Sequence, residues 1–315
     1  MRASLAALER RDDVEVIGIE PPAAASLAWW RQTTLVKQCA GRADLIHSWT
    51  SAFPLRAPVP VVQTVHEAPW CHGAVENAGP AHRLWARAGR SRAALVVTPS
   101  PLVAADLGHH SKLRVIPWGV DPAFSPERSA ADDELLNVIP GLTDRPFALC
   151  LGGTRPKKRL DLLLAGIAAF NADSSADLGV VCTGPPTPEA QALEAAHPHL
   201  LLAGVLEERL IPAVVRAAAC TSVLSTSEGF GLPAIESLGA GTPVLVARGT
   251  VQAETAAGYG IEVDPESPAS VASGLETALQ EAGSNPRRED GLAHARTMTW
   301  ERTAESLVAA WRSLL

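Results

Sequence analysis

The sequence predicts an α/β protein made of two doubly wound parallel-sheet domains. Three observations carry this prediction. Short apolar segments of strand composition alternate with helical segments along most of the chain, the pattern of a parallel sheet covered on both faces. The alternation breaks once, from about Phe124 to Pro146, where Pro, Ser, Asp and Glu accumulate, and then restarts. In the second run, Thr221–Leu224, a glycine loop, a helix entered through Pro233 and the strand Pro243–Val246 form one strand–loop–helix–strand unit. With 315 residues, 47% of them hydrophobic, the chain has material for two cores. The expected division is residues 1–130 and 140–299, with a final helix over 300–315.

In order, residues 2–11 read as the end of an amphipathic helix and Val14–Ile19 as a strand. Residues 26–40 read as a helix, Asp44–Trp49 and Val59–Val65 as strands, and Leu84–Arg92 as a helix. Ala93–Val97 is a strand, and Ser100 is placed to cap the helix that follows it. Leu113–Ile116 is a strand before Pro117-Trp-Gly-Val-Asp121. Beyond the expected linker the strands are Phe147–Leu151, Leu178–Cys182, Leu200–Ala203, Thr221–Leu224, Pro243–Val246 and Ile261–Val263, and Ser267–Glu281 is a clear helix. A doubly wound domain opens with a strand, whereas this chain opens in a helix. The first sheet is therefore expected to lack its first strand and to expose an apolar edge.

Composition excludes several classes. A net charge of −7 argues against nucleic acid as a partner. No run of 18 apolar residues predicts a membrane span, and the charged start does not resemble a signal peptide. Cys39, Cys71, Cys150, Cys182 and Cys220 are scattered without a C-x-x-C pair, which favours reduced thiols and a cytoplasmic location over a zinc site or a disulfide framework. No cofactor and no metal are expected.

Ser225-Thr-Ser-Glu228-Gly229-Phe230-Gly231-Leu232-Pro-Ala-Ile-Glu236 concentrates the candidate chemistry. A glycine loop opening a helix aims backbone N–H groups and a positive helix end at an anion. Gly229-x-Gly231-x-x-Ala234 also fits a dinucleotide fingerprint, with Glu254 as the ribose acid. That fingerprint belongs to the first turn of its domain, and Glu254 lies beyond the end of the next strand. The two glutamates, seven residues apart, fit better with a second pattern. The block resembles the E-x7-E signature of retaining glycosyltransferases of family 4 (group 1), and with its flanks it matches them almost without a break. Thr154-Arg-Pro-Lys157-Lys158-Arg159-Leu160, after Gly152-Gly153, resembles that family's basic turn, with Arg159 in place of the usual asparagine. His66-Glu67 at a strand end resembles its T-x-H-D or T-x-H-E.

The resemblance implies a GT-B fold, in which two Rossmann-like domains face a cleft and the last helix, 300–315, returns to the first domain. It implies that the glycine-rich loop after the missing first strand is missing too. It implies a metal-independent hexosyltransferase that moves a sugar from a nucleotide-diphosphate donor to a glycan or lipid-linked acceptor with retention. GDP-mannose, hence mannosyltransferase activity in polysaccharide biosynthesis, is the first donor expectation and UDP-sugars the second.

By the same resemblance Glu236 would accept hydrogen bonds from the donor ribose hydroxyls, a task suited to two carboxylate oxygens. Glu228 would face the sugar, with the amides of Gly229, Phe230, Gly231 and Leu232 beside it. Gly153, Lys157 and Lys158 would hold the diphosphate and offset its developing charge. Val205 and Leu206 would hold the base edge through their main chain, and His66 would orient the donor sugar or bind the acceptor. Trp118 and the Asp264-Pro265 turn would be structural. Trp29, Trp30, Arg31 and Lys37 on Ala25–Ala40 suggest peripheral contact with the inner membrane face, with packing against the sheet as the alternative. The rival functions are a nucleotide-sugar epimerase of the same fold and a non-catalytic nucleotide-sugar-binding partner subunit.

Overall fold

The computed structural model describes residues 2–23, 26–73, 78–174, 177–281 and 286–315. The chain divides into two compact units, one running to Gly119 and completed by Met298–Leu315, the other spanning Val120–Thr297.

The first unit begins with α1 (Arg2–Glu9), α2 (Leu27–Gln32) and α3 (Thr34–Cys39), followed by β1 (Ile46–Ser48) and β2 (Val61–Thr64). Then come α4 (Pro80–Arg92), β3 (Leu95–Thr98), α5 (Pro101–Leu107) and β4 (Leu113–Val115). Its sheet has the order β1-β2-β3-β4, all parallel. Val62, Val65 and Val97 are fully buried, as expected of strands with helices to cover them. Ser100 caps α5 as predicted, its Oγ accepting from Val103 N at 3.2 Å.

The second unit holds α6 (Ala130–Val138), β5 (Phe147–Cys150), α7 (Leu160–Asp173), β6 (Gly179–Thr183) and α8 (Pro188–Ala196). It continues with β7 (Leu200–Gly204), α9 (Ile211–Ala217), β8 (Cys220–Val223), α10 (Leu232–Ala240) and β9 (Val244–Ala247). It ends with α11 (Val251–Ala256), β10 (Ile261–Val263), α12 (Pro268–Gln280) and α13 (Pro286–Thr297). Its parallel sheet has the order β10-β9-β8-β5-β6-β7, so the winding reverses between β8 and β5. Ligands of open α/β sheets bind at the carboxyl ends of strands beside such a reversal. The last helix, α14 (Trp300–Arg312), belongs to the first unit, where it lies against α1. Thr303 Oγ1 donates to Pro117 O at 2.8 Å, and Arg312 pairs with Asp13.

The structure corrects three readings. Val14–Ile19 forms no strand; its residues are half-buried or exposed, and it pairs with no strand among the described residues. Residues 26–40 form two helices, broken at Thr33 (φ −127°), whose Oγ1 bonds back to Trp29 O at 2.8 Å. Ala25 lies outside the described residues. The stretch from Phe124 to Pro146 is no linker, and the division falls at Gly119–Val120 rather than between 130 and 140. It carries α6, started by a Ser129–Asp132 capping box, and buries Leu135, Ile139 and Leu142 beside Phe147 and Val214. Its polar face is also tied down, since Arg216 Nη2 on α9 donates to Asp132 Oδ2 at 2.6 Å. Among the described residues no helix is long and apolar enough to cross a membrane.

The Asp132 carboxyl is lowered to about 2, first by the Arg216 hydrogen bond. Its contribution to stability is therefore present above the unfolded carboxylate range and lost as the pH falls through about 2. Asp132→Asn should cost about 2 kcal/mol at neutral pH, and the gap to the wild type should close in acid, as measured by urea denaturation across pH.

Candidate functional site

In the second unit, the loops after β5 and β8, on either side of the winding reversal, carry most of the predicted residues. After β5 the chain turns through Gly152 (φ 62°) and Gly153. A Cβ on Gly153 would lie 2.5 Å from Cys150 Sγ and 2.9 Å from Cys182 Sγ, so only glycine lets the backbone rest on the two sulfurs. Gly153 N donates to Thr183 O at 3.2 Å and Gly152 N to Thr183 Oγ1 at 3.1 Å, which fixes the turn to β6. Pro156–Lys158 then make a single 3-10 turn, and Arg159 enters α7 in the left-handed region (φ 55°, ψ 45°). Asparagine takes that conformation at lower cost than arginine, which accounts for its place in the resembled pattern.

The two loops are joined at two points. Thr226 N donates to Lys157 O at 3.0 Å. Lys158 Nζ donates to Glu228 Oε1 at 2.7 Å, with the lysine only 8% exposed. Burial works to raise the Glu228 pKa, but Lys158, joined by Lys157, outweighs it and holds the carboxylate below its usual range. Glu236, in the second turn of α10, moves the opposite way. Burial, and then repulsion from Asp121, push its carboxyl up to about 7 against the pull of Lys158.

The glycine loop is held by α11, a helix expected between the last two strands but not singled out for the site by the sequence. Gln252 Nε2 donates to Ser225 O at 2.7 Å and to Val223 O at 3.3 Å, and Thr255 Oγ1 donates to Phe230 O. Gly231 caps α10 at φ 78°, and a Cβ there would meet Gln252 Cα at 2.8 Å. The one signal for Gln252 in the sequence was a polar residue among the apolar Val251, Ala253 and Ala256, all of which are buried. The Phe230 side chain is buried, so only its backbone is placed for contact, while Gly229 and Leu232 are half-buried. Val205 (73% exposed) and Leu206 (9%) follow β7, two strands from the Lys158 loop.

His66 lies in the first unit, just after β2, with its side chain exposed. Its Nε2 lies 2.8 Å from Trp49 O, so Nε2 carries the hydrogen and donates. Desolvation by the surrounding protein lowers its pKa against the carbonyl and Glu67, which raise it. Trp118, read from sequence as plain junction structure, is 8% exposed and lies 5.8 Å from the His66 ring and 6.3 Å from Trp49 between centroids. Thr50, Ser51, His66, Glu67, Gly79 and His82 line an open cavity of about 460 Å³. Thr50, Ser51 and His82 carried no signal in the sequence, because they come together only through the ends of β1, β2 and α4.

A profile described as "Glycosyl transferases group 1" matches residues 133–292, and one described as "Glycosyltransferase Family 4" matches residues 4–124. The chain is 30% identical over 231 residues to a D-inositol 3-phosphate glycosyltransferase of Corynebacterium glutamicum, covering 67% of this chain and 55% of that protein. It is also 30% identical over 314 residues to the enzyme of the same name from Salinispora arenicola, covering 87% and 69%. The chain spans about half the length of several such relatives, 55%, 38% and 48% in three of them. Among solved structures it resembles a sucrose-phosphate synthase of Thermosynechococcus elongatus (TM-score 0.71, 18% identity, 88% of this chain and 76% of that one). It likewise resembles HepE of Anabaena in complex with UDP and glucose (TM-score 0.72, 17%, 89% and 81%). At these identities the structures establish the fold, which is GT-B.

Lys158→Ala leaves the Glu228 carboxylate half-buried without its cation and should cost roughly 3 kcal/mol in chemical denaturation. Lys158→Met with Glu228→Gln should cost clearly less than the sum of the two single changes, and a strictly additive cycle would refute the coupling.

Proposed function

Because the chain belongs to the group 1, family 4 glycosyltransferases, we propose that it transfers a hexosyl group from a nucleotide-diphosphate sugar to a hydroxyl acceptor with retention of configuration. The observation that carries this reading is the Lys158–Glu228 pair, 2.7 Å long, joining the loops on either side of the winding reversal. Lys157 and Lys158 hold the donor diphosphate beside the first turn of α10. The ionised Glu236 accepts from both ribose hydroxyls, and Glu228 faces the sugar while fixing the Lys158 ammonium. The main chain of Val205–Leu206 meets the base, and Gly153 lets the phosphates approach the backbone.

In the proposed reaction the bond from the sugar C1 to the diphosphate oxygen breaks and its electron pair leaves with the nucleoside diphosphate. The acceptor oxygen bonds to C1 on the same face, and its proton passes to the departing phosphate. Neither glutamate acts as a nucleophile. The lysines supply the charge compensation that a metal supplies elsewhere, so the reaction is assigned no metal requirement. His66 and its cavity serve the acceptor. A glycan or lipid-linked acceptor fits this family reading. Leu27 and Trp29, 54% and 70% exposed on α2 beside Arg31, are assigned a peripheral contact with an anionic membrane surface.

A thermal-shift screen against UDP, GDP, ADP and their common sugars tests the donor assignment. A ligand at a hundred times its Kd adds about 2.7 kcal/mol, and stabilisation by one base family, GDP-mannose or a UDP-sugar, is expected. Sugar release to water or epimer formation with no transfer to any acceptor would favour the epimerase. No stabilisation by any nucleotide would overturn the reading. Glu236→Ala should weaken nucleotide binding, and Lys158→Ala should depress kcat; wild-type behaviour in both would overturn the site. Since Glu236 titrates near 7, donor affinity should fall as the pH drops below about 7, by up to about tenfold per pH unit, and Glu236→Gln should flatten that slope in calorimetry.

A further inference from the structure

Cys150 and Cys182 have no part in the proposed transfer, yet the turn that leads to Lys158 rests on them. They stand at the carboxyl ends of β5 and β6 and face each other in register. Their side chains share one core with α7 and α12, whereas Leu149 and Val181 belong to the core on the other side of the sheet. Neighbouring strands lie about 4.8 Å apart, within the roughly 4.4–6.8 Å between Cα atoms that a disulfide spans. The two sulfurs also converge, 2.5 and 2.9 Å from the point where a Gly153 Cβ would stand. Both thiols are free and buried. Cys220 shares their core but stands opposite Ala148, out of register with Cys150, and Cys39 and Cys71 lie in the first unit.

The pair is chemically asymmetric. The hydrogen bond from the Cys150 thiol holds the Cys182 pKa below the ordinary thiol range against burial, with the Gly153 N–H assisting. The same bond, joined by burial, holds Cys150 well above that range, although Lys158 acts in the other direction. Cys182 is therefore the nucleophilic sulfur and Cys150 the proton-bearing one, the division between an attacking and a resolving thiol.

We propose that Cys150 and Cys182 are a site of reversible oxidative modification, in which a peroxide closes a cross-strand disulfide beneath the Gly152–Lys158 turn. The Cys182 thiolate attacks one peroxide oxygen, the O–O bond breaks and hydroxide departs, leaving a sulfenic acid. The Cys150 sulfur then attacks the Cys182 sulfur. The S–S bond forms, the S–O bond breaks, and the hydroxyl leaves as water with the Cys150 proton. The dithiol loses two electrons and the peroxide gains them, and a thiol reductant restores the pair by exchange. Closing the bond draws the sulfurs together, so Gly153, which rests on both, has to reseat. The same turn carries Lys158, so the modification acts on the Lys158–Glu228 pair and, if the glycosyltransferase reading holds, on donor binding.

The test treats the full reduced chain with hydrogen peroxide under native conditions, blocks the remaining thiols after unfolding and maps the peptides by mass spectrometry. A linked Cys150–Cys182 peptide, removed by dithiothreitol, is expected. It should persist in Cys71→Ser and Cys220→Ala and vanish in Cys182→Ser. Amide hydrogen exchange is read second. In the oxidised chain the Gly152–Arg159 segment should exchange at least about tenfold faster, with β9 and β10 unchanged. Thiols at 150 and 182 that stay reduced while the exposed Cys71 oxidises, separate sulfinic acids in place of a link, or a link to Cys220 would overturn the site. An unchanged exchange rate in the turn would overturn its coupling to the Lys158 loop. Neither readout uses a nucleotide. If the link forms, the turn loosens and no nucleotide binds the reduced chain, the donor reading falls and this inference stands.

Discussion

The second unit depends on an ion pair that ties together two loops far apart in sequence. Lys158 and Glu228 are separated by seventy positions, yet they meet because β5 and β8 are neighbours across the winding reversal. A lysine only 8% exposed carries a large desolvation cost, and a carboxylate at 2.7 Å offsets it only if both loops are held still. The surrounding structure does this. Gly153 rests on two sulfurs, Thr226 bonds to Lys157, Gln252 holds the carbonyls of Val223 and Ser225, and Gly231 fits against Gln252. Each of these contacts restrains the same ammonium and carboxylate.

One lysine acts on two carboxylates with different results. Glu228 touches Lys158 and stays ionised despite its burial, whereas Glu236 feels the same cation more weakly and faces Asp121, so burial prevails and its pKa rises to about 7. Two residues of identical chemistry, one helical turn and a loop apart, are thereby set to different proton states near neutrality. Groups whose surroundings drive their pKa values apart mark a functional site more securely than either group alone. The separation also suits the roles assigned to them: a permanently charged partner for the lysine and the sugar, and a ribose acceptor whose ionisation is coupled to donor binding.

Most of the fold was legible because fully buried parallel strands are written as continuous apolar runs. Each strand from β1 to β10 lies within a residue or two of where its run places it. The failures share a cause. Val14–Ile19 has a strand pattern, but a strand also needs a neighbour, and pairing is a tertiary fact that the pattern does not contain. The stretch from Phe124 to Pro146 is rich in Pro, Ser, Asp and Glu, yet three buried apolar residues, Leu135, Ile139 and Leu142, anchor it to the second unit and Arg216 pairs with Asp132. Composition measured its polarity and could not show where that polarity would be satisfied. At the site, Lys158 and Glu228 were marked by their motifs, but their contact was not. Gln252 and Thr255, which hold the loop, and Trp118, which backs His66, sit in segments whose local pattern reads as ordinary core or junction.

Charge is apportioned differently in the two candidate sites, and this constrains what each can hold. The loops of the second unit bring Lys157 and Lys158 beside the start of α10, and the acidic residues there are either paired or driven toward protonation. The cavity of the first unit sets a carboxylate and imidazoles around open space, with hydroxyls completing the described lining. On the proposed reading, the buried lysine and the helix N-terminus of the second unit suit an anionic donor.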